Sequence, residues 1–126
     1  MEREIIEKVM KTLQSMSDFN RVEFVILYGS QATGEAWAES DIDLCVYYRA
    51  EEKKEMSRFR LRLLTKLSSD RYDVQIFQLL PLYIQVEVLK GEVLYAKDLD
   101  FLYEIALNAV RDYELFKPLL DDYLYR

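Results

Sequence analysis

Apolar positions along this chain alternate between two periods. Over residues 2–16, Ile5, Ile6, Val9, Met10, Leu13 and Met16 recur every three or four residues, which predicts an amphipathic helix. Ser17-Asp18-Phe19-Asn20 breaks it. The unbroken run Phe24-Val25-Ile26-Leu27-Tyr28 then predicts a buried strand over 22–28, stopped by Gly29-Ser30. A short helix and a loop are expected over 31–40, with Gly34 as a turn residue and Trp37 either packed over the segment or exposed. Leu44-Cys45-Val46-Tyr47-Tyr48 predicts a second strand over 41–48. Helical spacing returns over 51–68, with Met56, Phe59, Leu63, Leu64 and Leu67 as the buried stripe. A third strand is expected over 72–77. Pro81 opens a helix over 82–90 that Gly91 ends, and 92–95 is a short strand. Asp98 caps a long final helix with Leu102, Ile105, Ala106, Ala109, Val110 and Tyr113 on one face, which Pro118 kinks or restarts. The order predicts an α/β (α+β) fold: a small mixed β-sheet flanked by helices, with a long C-terminal helix.

Between the first two strands the polar residues carry chemistry. Side chains alternate along a strand, so Asp41 and Asp43 point one way and Ile42 and Leu44 the other, toward a core. Two carboxylates on one face repel unless a cation lies between them. Mg²⁺ suits them, because it is hard and is held by one or two carboxylates plus substrate phosphates. Gly29 lets the backbone approach a phosphate, and free N–H groups at the following turn favour anions. Together these read as a nucleoside-triphosphate site. The plainer reading makes Asp41 a loop cap and Asp43 a solvated strand residue. Ser30 is either a helix N-cap or a phosphate ligand, and one exposed helix end serves both. Asp73 is the sole carboxylate in a β-rich run, where Asp is depleted. Its presence needs a reason, and the plain one is that it is the exposed start of the strand. Lys53, Lys54, Arg58, Arg60, Arg62 and Lys66 form the main basic group, read as a solvated face with a second possibility that some of them approach a nucleotide or an acidic partner.

Composition narrows the choices. With 126 residues the chain has room for one core, and we expect a single domain over 1–126. No apolar run approaches the ~20 residues of a membrane span, and the charged amphipathic start MEREIIEKVM is unlike a secretory signal. Cys45 is the only cysteine; it is expected in the core, and a reducing cytoplasm fits. The chain has no histidine, which removes Ser-His-Asp, Cys-His and His-ligated zinc chemistry. A net charge of −6 argues against wrapping a long nucleic acid. The acidic balance favours a protein or small molecule as the acceptor of any transferred group. The apolar, aromatic end Leu119–Tyr125 either packs on its own domain or serves as a partner or self-association surface.

The string GSQATGEAWAESDIDL, Gly29 to Leu44, resembles the signature of the DNA polymerase β-like nucleotidyltransferase superfamily. In particular it is similar to the minimal nucleotidyltransferases (MNT), antitoxins paired with HEPN-domain toxins. Ala32, Gly34, Ser40 and Leu44 also fall where that family places such residues, and the likeness extends over roughly residues 5–100. The resemblance implies a nucleotidyltransferase fold and Mg²⁺-dependent transfer of a nucleoside monophosphate, AMP from ATP, to a hydroxyl on a HEPN ribonuclease toxin bound in a complex. It implies that Asp41, Asp43 and Asp73 hold two Mg²⁺ ions, and that Gly29 and Ser30 hold the triphosphate. Two other expectations stand beside it: transfer to a small hydroxylated molecule, as in aminoglycoside-modifying relatives, and a non-catalytic antitoxin that acts by binding alone.

Overall fold

In the computed structural model, which describes residues 2–29 and 41–124, ten elements follow one another. They are helix α1 (Glu2–Gln14), a 3-10 turn (Phe19–Arg21), strands β1 (Val22–Tyr28) and β2 (Ile42–Tyr48), and helix α2 (Lys53–Leu67). Strand β3 (Tyr72–Ile76), a second 3-10 turn (Phe77–Leu79), helix α3 (Leu82–Val88), strand β4 (Glu92–Ala96) and helix α4 (Leu99–Leu124) complete them. Ser30 and the helix and loop expected over 31–40, with Gly34 and Trp37, lie outside the described residues.

The four strands form one mixed sheet in the order β3-β2-β1-β4. β1 pairs antiparallel with both β2 and β4, whereas β2 pairs parallel with β3. A parallel pair needs a crossover, and α2 supplies it. The sheet is covered on both faces, which is why β1 reads as a continuous apolar run and not as an alternation. Ile42, Leu44, Val46 and Tyr48 of β2 meet Tyr72, Val74 and Ile76 of β3 in the core under α1 and α2. Phe24, Ile26 and Cys45 turn to the opposite core, with Phe77, Val88 of α3 and Leu102 of α4.

A bulge makes this division possible. Val22 is opposite Tyr48 but Phe24 is opposite Tyr47, so Glu23 is the extra residue on β1. The bulge reverses the alternation, and Val22 therefore joins Val25 and Leu27 in one core while Phe24 and Ile26 fill the other. Glu23, buried apart from its ion pair with Arg49 at 3.5 Å, marks the place.

Most expected elements appear with ends shifted by one or two residues, as fraying ends do. The buried stripe of α2 is Met56, Phe59, Leu63 and Leu67, with Leu64 packed at its edge. Asp98 caps α4 as expected, accepting a hydrogen bond from the Asp100 N–H at 3.0 Å. Pro118 does not restart that helix, which continues through it to Leu124. Val110, expected on the packed face of α4, is exposed.

Gly91 departs from the expected reason. Among the described glycines only Gly29 has positive φ, so Gly91 is no left-handed cap. A Cβ there would fall on the Leu27 carbonyl oxygen and within 3.0 Å of Ile26 Cγ2. The constraint is the close passage of the chain across β1. Gly91→Ala should therefore destabilise the fold by about 1–3 kcal/mol, as overpacking does. Gly91→Asn should do no better, whereas a left-handed cap would tolerate Asn. Urea unfolding of the two variants distinguishes these reasons.

Candidate active site

The candidate residues gather at one end of the sheet, on the α3–α4 face. Asp43 of β2 and Asp73 of β3 are register partners in the parallel pair, and Tyr28 of β1 is opposite Asp43 on the other side. Because neighbouring strands run about 4.8 Å apart, the two carboxylates leave the sheet side by side. Local sequence explains why they face the same way. In both strands the residues flanking the Asp (Ile42 and Leu44, Tyr72 and Val74) are buried under α1 and α2, so alternation turns each Asp to the other face.

Gly29 closes β1 against this pair. Its φ is +74°, a conformation that favours glycine. A Cβ at Gly29 would collide with Asp43 Oδ2 and stand 3.3 Å from Asp43 Cγ. The turn therefore needs glycine twice over, for the backbone angle and for the carboxylate beneath it.

The electrostatics follow from crowding. Partial burial raises the Asp43 pKa above the usual carboxylate value, and the charges of Asp73 and Asp41 raise it further. Burial likewise raises the Tyr28 phenol, with Cys45, Asp43 and Asp73 adding to it. Asp73 is supported differently. Gln75 Nε2 donates to its Oδ1 and Oδ2 at 3.1 and 3.4 Å. Arg60 of α2 places a guanidinium nitrogen 3.9 Å from Asp73 Oδ1, while its Nε donates to the Val74 carbonyl of the same strand. One of the basic residues thus reaches this cluster; Arg62 instead pairs with Asp18 at 2.6 Å on another part of the surface.

Of the residues singled out in the sequence, the structure brings together Gly29, Asp43 and Asp73. Asp41, exposed just before β2, lies close enough to act on Asp43 through its charge. Ser30 lies outside the described residues. Among the described residues no three carboxylate or thiol groups already converge as an ion cage. The oxygen-only donors nevertheless fit a hard divalent ion that takes part of its coordination from substrate phosphates. Sequence reasoning passed over Tyr28 and Gln75 and left Arg60 undistinguished within its basic group. Only the pairing of β2 with β3 shows which residues border the carboxylates.

The family model for polymerase beta nucleotidyltransferases matches residues 7–100. A Methanocaldococcus jannaschii protein named as a candidate protein adenylyltransferase is 35% identical over 82 residues, 64% of this chain; the chain spans 62% of that relative's length. A crystal structure of a toxin–antitoxin with AMP-PNP superposes with a TM-score of 0.70 at 19% identity, covering 94% of this chain and 98% of that one. A tri-AMPylated Shewanella oneidensis HEPN toxin in complex with its MNT antitoxin gives 0.68 at 17% identity, over 98% and 99% of the two chains. These structural likenesses establish the fold.

The crowding of Asp43 has a measurable consequence without any substrate. A carboxyl whose folded pKa is raised destabilises the fold above that pKa, because the native state binds the proton more readily than the unfolded chain. Asp43→Asn should therefore raise the melting temperature of the metal-free protein at neutral pH. The gain should fade as pH falls through the carboxylate range, where Asp43 itself is protonated. Thermal unfolding from acid to neutral pH, in chelator, tests this.

Proposed function

Because the chain belongs to the polymerase beta nucleotidyltransferase family, we propose that it transfers AMP from ATP to a hydroxyl of a HEPN-domain toxin, acting as that toxin's antitoxin. The observation that carries this reading is the in-register pair Asp43–Asp73 standing under the Gly29 turn. It is supported by the name of the archaeal relative and by the likeness to toxin–antitoxin structures, one with AMP-PNP and one with an AMPylated HEPN toxin.

In this reading Asp41, Asp43 and Asp73 hold two Mg²⁺ ions, and Gly29 and Ser30 receive the triphosphate. Bound Mg²⁺ supplies charge neutralisation of the phosphates and a lowered pKa for the acceptor hydroxyl. The acceptor hydroxyl gives up its proton to solvent, its oxygen attacks the α-phosphorus, the bond from that phosphorus to the bridging oxygen breaks, and pyrophosphate leaves. The chain's own part is placement. Gly29, having no side chain, leaves room for the Asp43 carboxylate under the turn, and Arg60 and Gln75 keep Asp73 oriented at the sheet edge. Asp43 and Asp73 would be relieved of their mutual repulsion by a cation held there, which would lower the Asp43 pKa. No helix among the described residues is long and apolar enough to cross a membrane. With its one cysteine buried, we place the protein in the cytoplasm.

The test uses ATP labelled at the α- or the γ-phosphate, Mg²⁺ and the co-expressed HEPN protein. Label should pass from the α-position only. Asp43→Asn and Asp73→Asn should each lower the transfer rate by about 10²-fold or more, as loss of an electrostatic transition-state group does. A variant that transfers at the wild-type rate would remove these carboxylates from the chemistry. A variant that transfers nothing yet fully neutralises the toxin would make this an antitoxin that acts by binding.

A further inference from the structure

Helix α4 carries two apolar faces, and only one of them is used. Leu102 and Ala109 are buried, and Ile105 is half-buried beside them against the second core. Leu99, Tyr103, Leu107 and Val110 are exposed, Leu107 by 64%. At roughly 100° per residue these four fall within one stripe, centred about 120° around the helix from the buried face. The stripe is a separate face, not the fringe of the packed one. Farther along, Leu115 at 69%, Phe116, Leu119 and Leu124 are exposed as well. From Glu114 to Leu119 every residue is exposed, so this end of α4 has no covering from its own chain among the described residues. A helix end of that length is marginal in water by itself, and Pro118 removes one of its backbone hydrogen bonds. An apolar stripe such as Leu99–Val110, left exposed on one face, marks an interaction site.

The charges on the helix select the occupant. α4 has six carboxylates against two cations, Arg111 and Lys117. Asp100 and Glu104 lie near its start, Asp112 and Glu114 in the middle, and Asp121 and Asp122 near its end. A second copy would therefore set carboxylates against carboxylates in either direction, at a cost to association. We propose that α4 is the docking surface for the partner protein, and that it receives an apolar helix face rimmed by Lys and Arg. This rests on the toxin-pair reading above and adds the surface and the chemistry of what meets it. Such a helix would bury the Leu99–Val110 stripe and meet the flanking carboxylates with cations, the usual division between anchoring and steering in a helix-mediated contact.

The experiment uses the full chain and the HEPN protein of the proposed pair, with binding measured by interferometry and mass by light scattering. The wild type alone should be monomeric, and it should bind the HEPN protein. Tyr103→Glu together with Leu107→Glu should weaken that binding by about tenfold or more, as loss of buried anchors does. The unfolding temperature and nucleotide binding of this variant should stay unchanged, since neither side chain is packed in the fold. Glu104→Lys with Glu114→Lys should slow association and flatten its dependence on salt. Three results would overturn the proposal: a wild-type dimer that the apolar variant dissolves, a complex indifferent to both variants, or no complex at all. The activity reading fails separately. If the wild-type complex forms through α4 but no label passes from ATP, the docking surface stands and the transfer does not.

Discussion

Two carboxylates held side by side with like charge are the constraint around which this protein is arranged. Asp43 and Asp73 come from adjacent parallel strands, and the buried residues on either side of each leave it no other face to occupy. Repulsion between them, added to partial burial, holds the Asp43 pKa up. The fold tolerates this because the core beneath is fully packed: Leu44, Val46 and Val74 are all inaccessible. An apolar core that fixes strand register also fixes an unfavourable electrostatic arrangement at its rim. Such locally unfavourable features are sustained by stability elsewhere and mark sites of function.

The supporting residues follow from that pair. Gly29 is required because the Asp43 carboxylate fills the space a side chain would take. Arg60 ties the edge strand to α2 through the Val74 carbonyl, and its guanidinium also approaches Asp73. β3 has a neighbour on one side only, so its outer carbonyls need such partners. One side chain thus satisfies an edge and steadies a carboxylate. Gly91 has a comparable part at the same end of β1, beside Leu27, where the crossing chain leaves no room for a Cβ.

On helix α4 the problem is the reverse. α4 contributes one apolar face to the second core and leaves another in solvent. Burying that surface would release water from several large side chains, at roughly 25 cal/mol per Å². The acidic residues around it would set like charges together in a self-pairing. The site at the sheet end and the exposed helix are thus separate solutions, one for chemistry and one for contact.

The local elements were legible in the chain itself. Helical spacing located α1, α2 and α4, apolar runs located β1 and β2, and the Gly-Ser…Asp-x-Asp arrangement put Gly29 and Asp43 at the ends of those two strands. Those features are short-range, because period, turn and alternation are set by neighbours in sequence. What depended on tertiary structure was everything set by pairing. The bulge at Glu23 divides β1 between two cores, and no Gly or Pro announces it. The choice of β3 as the parallel neighbour of β2 puts Asp73 beside Asp43, thirty residues apart in sequence, and brings Arg60 to the same edge. The exposure of Val110 and Leu119 was equally hidden, since an amphipathic pattern shows which residues are apolar but not whether the fold has anything left to cover them.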